Sequence, residues 1–325
     1  MDVKILNTDF FLTGIVDTYT YLRYTDDFRD AGELEMRLPL DASLYALLSS
    51  ECALLVEDML YMVKRIRVEN NEIYVYALGF FAELREFYTS SPVLYEMSAS
   101  SIILSLVSAL KFEEVTFKTY GVTGTESAIQ EYDACASYYD VIKRIARENG
   151  VGFRFSYDPS TRELAFRVMS VTDRASPSVK ELCVISDRRD SYLSLEAHTD
   201  IENYKNIADI VYGYDTEGEF LVYSLNRCPK YEKPRRIMDS SQSLIFSDEQ
   251  TWSIVLRTYA EKLLAKHAKK DSFTVKLLCN PGARVGDLCY FESVALGRTE
   301  YCLTTAREVC FSDTCRTETL TLEVQ

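Results

Sequence analysis

LSLEAHTDIENYKNIADIVYGY, residues 193–214, sets the reading of this chain. Two β-rich runs, 192–197 and 207–214, flank a polar knot from His198 to Asn206. Asp and Asn side chains bond to nearby backbone and so favour turns. The second run reaches Gly213, and 220–225 reads as a further strand beyond a turn at 216–218. The stretch predicts an antiparallel meander. Its mixed apolar and polar strands imply a sheet with one wet face, in a barrel or sandwich.

Working outward, the chain after 176 is β-rich except at 248–270. There Trp252, Val255, Leu256, Tyr259, Leu263 and Leu264 recur at helical spacing, and the run ends in the basic KLLAKHAKK. Strands are expected again at 273–278, 285–291, 301–311 and 317–324. Residues 1–88 predict strands at 3–6, 15–24, 32–38, 52–56, 60–68 and 72–78, with a helical turn at 44–48. In GELEMRL (32–38), Leu34, Met36 and Leu38 share one face and Glu33, Glu35 and Arg37 the other. Asn70-Asn71 has the chemistry of a hairpin turn. Short strands in this number point to a closed or nearly closed barrel, which protects its edges.

Between these regions, 98–110 predicts an apolar helix capped by Ser98. Residues 138–149 predict an amphipathic one, with Val141, Ile142, Ile145 and Ala146 as its stripe and Gly150 at its end. A hairpin is expected around 158–160. The fold class is α+β and β-rich: a barrel domain at 1–88, an α/β insertion domain at 89–175, and a second barrel domain at 176–325 with the long late helix 248–270.

The 325 residues carry a formal charge of -14, and 47% are apolar. The composition is globular. The charge argues against holding nucleic acid by a bulk field, which needs clustered Lys and Arg; residues 230–236 are one candidate for a local basic patch. Nine cysteines include no CxxC pair, so metal-site spacing is lacking and no cofactor or metal is expected. Their scatter suits a reducing compartment. Cys302, Cys310 and Cys315 lie close together in sequence, but free cysteines are mostly small buried hydrophobes. The N-terminus lacks the pattern of a signal peptide, and no apolar run reaches the ~18 residues of a membrane span, so membrane insertion is not expected.

The search for chemistry names no catalytic, cofactor-binding or metal-binding residue. His267 sits in a basic helix end, and His198 lies in the polar knot without an evident orienting partner. HExxH, GxSxG, P-loop and GxGxxG motifs are absent. Residues 121–125, GVTGT, read as a loop. Residues 187–190, DRRD, read as a salt-bridged turn or an interface patch, and Asp26-Asp27 as a solvated turn.

Three short motifs carry a resemblance: GELEMRLPL at 32–40, Asn203-Tyr204-Lys205-Asn206 leading to Val211-Tyr212-Gly213, and Ala283-Arg284-Val285-Gly286-Asp287-Leu288. In this order they resemble the phage tail hub family, which includes the baseplate hub of contractile tails and the N-terminal hub region of the siphophage tail-associated lysin. The resemblance covers nearly the whole chain. It implies a non-enzymatic virion protein and a homotrimer. Two tube-like barrels per subunit would make a ring joining the tail tube or distal tail protein to a tip, spike or fibre protein. DNA would pass through without specific binding. The protein would sit in the virion tail, assembled in the bacterial host cytoplasm. Relatives carry C-terminal peptidase or host-binding domains; this sequence stops after the hub, so such activities would belong to other chains. The alternative is a hydrolase of cell-wall glycan or peptide built from scattered carboxylates.

Overall fold

The structure, a computed structural model, describes residues 1–89, 95–110, 112, 115–122, 127–130, 136–176, 178, 181–189, 191–214, 216–240, 252–278, 280–312 and 315–325. Two compact units emerge: Met1–Glu196 with Phe273–Gln325, and Ala197–Ser272.

The first unit opens with β1 (Val3–Asn7), β2 (Leu12–Val16), β3 (Tyr21–Asp27), β4 (Glu33–Pro39), helix α1 (Ala42–Ser49), β5 (Cys52–Val56), β6 (Met59–Glu69) and β7 (Glu72–Gly79). It continues through β8 (Tyr95–Ser98), α2 (Ala99–Ser108), β9 (Thr116–Tyr120), β10 (Ser127–Gln130), α3 (Tyr138–Glu148), β11 (Gly152–Asp158) and β12 (Glu163–Met169). After β13 (Thr172–Asp173), β14 (Val184–Ser186) and β15 (Tyr192–Asp200) come β16 (Ile207–Tyr214), β17 (Phe220–Asn226), β18 (Arg236–Ser240) and α4 (Trp252–Lys266). The chain closes with β19 (Lys270–Leu277), β20 (Asp287–Ser293), β21 (Arg298–Ser312) and β22 (Cys315–Val324).

Local chemistry explains much of this. The alternation expected in GELEMRL is present: Leu34, Met36 and Leu38 are buried. Asn70 and Asn71 both take positive φ, 51° and 64°, and close the β6–β7 hairpin as such a turn requires. The Ser98 side chain accepts from Ser101 N–H to cap α2, and Ser137 accepts from Asp140 N–H to cap α3. The expected α3 stripe is buried in full. One expected strand, 15–24, is instead two, because β2 pairs with β1 while β3 crosses to β4.

The main sheet runs β15-β19-β22-β21-β3-β4-β7-β6-β5-β1-β2, with β20, β13 and β14 branching from β21. The branch lies within β21. Its residues 298–303 pair with β20, its residues 306–312 pair with β3, and the ladder to β22 slips between Thr304 and Ala306. Such an irregularity lets a strand bend and leave one sheet for another. Two cores follow from this switch. One gathers Leu22, Tyr24, Met36, Leu54, Ile73 and, from the far half of β21, Val309. The other gathers Ile185, Phe273, Phe291, Leu320, Leu322 and, from the near half, Cys302.

A third core holds the insertion. Here β5, buried along its whole length, shows why a strand can be apolar at every position: Cys52, Leu54 and Val56 face the first core, and Ala53 and Leu55 face the insertion. Phe80, Phe81, Phe153, Phe155 and Phe166 fill the space against α2 and α3.

The second unit corrects the meander. β15 pairs with β19, not with β16. β16 is the centre of a separate three-stranded sheet, antiparallel to β17 and parallel to β18. The cause is the polar stretch 200–206: Asp200 accepts from Glu202 N–H, and the Asn206 carbonyl oxygen accepts from Arg235 N–H at 2.7 Å while its amide donates to Lys233 O. Asn206 is 2% exposed, so it staples the start of β16 to a neighbouring loop. The helix expected over 248–270 is described over Trp252–Lys266, and 248–251 lie outside the described residues. It ends early because Ala268 N–H turns back to Ala265 O, and Lys270 already begins β19. Leu256, Ala260 and Leu264 pack it on β16 and β17.

Candidate functional site

The residues singled out in the sequence do not converge. His198 is exposed on β15, within the strand instead of a turn. His267 follows α4, its ring Nδ1 3.2 Å from Asn203 O. In the basic stretch, Arg236 pairs with Asp209 at 3.0 Å, Arg235 donates to Ile201 O, and Glu232 pairs with Lys269, so much of its charge is matched locally. Of GVTGT, Gly121 and Val122 are placed beside Ser100, and 123–125 lie outside the described residues, as do Cys135, Cys279 and Asp190.

Residues 187–189 form a single 3-10 turn, and Arg188 pairs outside it, with Glu292 on β20 at 3.3 Å. Asp187 caps the next turn by accepting from Val294 N–H at 2.8 Å and Ala295 N–H at 3.3 Å. Desolvation pushes its carboxyl up, and those backbone donors outweigh it and hold the group below its ordinary value. Cys302 is buried, Cys310 half-buried and Cys315 exposed. Among the described residues, no three His, Cys, Asp or Glu side chains are grouped to hold a metal ion, and no helix is long and apolar enough to cross a membrane.

The densest constellation is the one read as a solvated turn. Asp26 is 8% exposed, at the end of β3. Arg154 on β11 joins it to Asp58, at 3.4 Å and 2.6 Å. Beside them Tyr24 donates to Glu57 at 2.9 Å, and Arg307 reaches Glu57 at 3.5 Å and Glu318 at 2.6 Å. Burial raises the Asp26 carboxyl, against the pull of Arg154. Burial pushes Asp27 up to about 6, against hydrogen bonds from the backbone of Arg29 and Asp30. These partners come from the β5–β6 turn, β11, β21 and β22, distant in sequence, which is why the pair resembled a turn.

Chemically the arrangement ties elements together. Successive residues of a strand point to opposite faces, so Asp26 and Asp27 do not form a proton-sharing dyad. Glu57, Glu318 and Asp58 each have a cation within salt-bridge distance. A small cleft of about 40 Å³ beside them is lined by Asp27, Tyr61, Phe80, Phe81, Phe153 and Phe155.

Next to this network lies a pin. The Phe28 ring is fully buried; its N–H donates to Thr305 O at 2.8 Å and its carbonyl accepts from Phe153 N–H at 2.9 Å. Thus one residue joins β3 to the switch point of β21 and to the insertion. Gly286, in the Gly286-Asp287 motif, has φ +90°, and a Cβ there would lie 2.8 Å from the Phe28 ring. Gly32 of the first motif has a similar cause: a Cβ would meet Thr25 O at 1.9 Å. The motifs therefore mark close approaches around the junction of the two cores.

The ends of the main sheet are the remaining candidate surfaces. β2 ends the strand order, and Phe11, Leu12 and Ile15 on or beside it are 47%, 52% and 55% exposed. Leu193 on β15, at the other end, is 61% exposed. Apolar side chains on an edge strand mark where another chain can add.

This fold, two cores on one hairpin with an α/β insertion, is that of phage tail proteins. A tail protein from Neisseria meningitidis MC58 shares it with a TM-score of 0.65 at 13% identity, over 99% of this chain and 95% of that one. The 43 kDa tail protein of prophage MuSo2 from Shewanella oneidensis gives 0.63 at 11% identity, over 99% and 98%. Prophage tail protein gp18 from Listeria monocytogenes EGD-e gives 0.62 at 13%, over 99% and 94%. The resemblance read from the three motifs is borne out at the level of fold. No family model and no curated protein matches the sequence.

Proposed function

We propose that this chain is a structural tail protein: a trimeric hub that joins the tail tube to the three-fold tip or spike and leaves a channel for DNA. The observation that carries the reading is the division of β21 between two β-walled cores, one lined by β1–β7 and one by β14, β19, β20 and β22. On this reading each core is the wall of a tube-like barrel, one mainly from 1–88 and one from 176–325, and two per subunit give a three-copy ring six positions, the symmetry of a hexameric tube. The likeness to solved tail proteins over nearly the full chain supports it. The exposed apolar edge at β2 supplies a surface for a neighbouring subunit or tail protein. The site of action is then the virion tail, and assembly takes place in the host cytoplasm.

The hydrolase alternative has one observation in its favour, the raised Asp27 carboxyl at a cleft. Mass measurement and negative-stain imaging of the purified chain, alongside a cell-wall degradation assay, separate the two. A three-copy ring without degradation supports the hub; a monomer that solubilises cell wall, with the release abolished by Asp27→Asn, overturns it.

A further inference from the structure

Three cysteines from neighbouring strands meet in the second core. Cys289 on β20 is the direct register partner of Cys302 on β21. On its other side β14 runs parallel to β20, pairing Val184 with Tyr290, and Tyr290 N–H donates to Cys183 O at 3.0 Å. One step earlier in that register, Cys183 faces Cys289. All three are 0% exposed, and the Cys289 thiol also lies 3.5 Å from the Thr304 hydroxyl. Adjacent strands lie about 4.8 Å apart, inside the roughly 4.4–6.8 Å Cα separation that a disulfide spans.

We propose that Cys183 and Cys289 are a redox-active dithiol that closes to a disulfide when the protein meets hydrogen peroxide. The Cys183 thiolate attacks one peroxide oxygen, giving Cys183 sulfenic acid and hydroxide, which takes up the proton that Cys183 released to form water. The Cys289 sulfur then attacks the Cys183 sulfur; the S–O bond breaks, the S–S bond forms, and the Cys289 proton leaves with the hydroxyl as a second water. Two thiols and one peroxide give one disulfide and two waters.

The surroundings support this order of events. The neighbouring Cys289 thiol holds the Cys183 thiol below its ordinary value against the pull of burial, with Arg174 assisting. Their interaction, with burial, pushes Cys289 up. Arg174 is fixed there by Asp287 at 2.8 Å and by Glu181 O and Gly282 O. Access is local: β14 has three residues and pairs with β20 at the sheet's branch, so opening it uncovers Cys183 without disturbing the longer strands. The closed loop contains the whole of residues 197–272. The cross-link would fix the branch strand once the protein leaves a reducing compartment. The inference stands apart from the hub reading.

The test is peroxide treatment of the full chain under native conditions, thiol blocking, digestion and peptide mass mapping. The expected product is a Cys183–Cys289 linkage, reversed by dithiothreitol, with the melting temperature raised by roughly 5 °C in the oxidised form. Cys289→Ala, a small buried change, should leave Cys183 as a sulfenic acid that dimedone labels. Recovery of Cys183 and Cys289 as free thiols while the exposed Cys315 is oxidised would overturn the proposal. So would a Cys289–Cys302 linkage in place of the expected one.

Discussion

Asp27 shows how far a single residue departs from its sequence reading. Next to Asp26 it has the composition of a solvated turn, yet β21 pairs along β3 as far as Ala306 and leaves it half-buried. Its carboxyl is raised from 3.8 to about 6 in the fold. A raised folded value means that the native state holds a proton which the unfolded chain has released. Stability from this group is therefore fully present below pH 3.8 and is lost as pH rises through about 6. At neutral pH the charged form costs on the order of 3 kcal/mol. Asp27→Asn keeps an acceptor for the Arg29 N–H and removes that cost. The variant should melt several degrees above the parent at pH 7.5 and match it near pH 4; an equal difference at both values would show that titration of Asp27 is not the cause. By contrast, Asn70-Asn71 and the Ser98 cap were legible because their partners lie within a few residues.

Among elements, legibility also followed sequence distance. The α3 stripe, the β11–β12 hairpin and the alternation of β4 are set by their own periodicity, and the structure reproduces them. The β21–β22 hairpin looked like two ordinary final strands; nothing within it shows that half of β21 belongs with β20 and half with β3, since that depends on strands up to 290 residues away. The same holds for α4. Its stripe is legible in its own spacing, but the sheet it covers is not, because that sheet is assembled from β16, β17 and β18 with Asn206 fixing the start of β16 to the loop before β18. Leu256 is 0% exposed at the centre of that contact. Leu256→Asp should cost at least about 3 kcal/mol locally by burying an unpaired charge. Hydrogen exchange is expected to lose protection across 197–272 while 1–88 and 298–324 keep theirs. Uniform loss over the chain would mean that the two compact units do not unfold independently.

For the whole molecule, the hub reading couples net charge to assembly. A hub passes DNA along its axis, and a lining rich in Lys and Arg would hold the phosphates tightly through counterion release. An acidic wall repels the duplex and keeps it centred, over a range of about 8 Å at physiological salt. With a formal charge of -14, the ring's inner wall is expected to carry more Asp and Glu than Lys and Arg. The assembled ring should then show no binding to duplex DNA in a gel-shift at physiological salt, whereas retention of the duplex would indicate a basic bore. The subunit arrangement itself is tested most directly by a cryo-electron microscopy reconstruction of tail particles containing this chain. The hub account predicts three copies at the tube's end, with the cores of residues 3–77 and 183–322 alternating around the axis as six superimposable positions; the chain's absence from the particle, or any other copy number there, would contradict it.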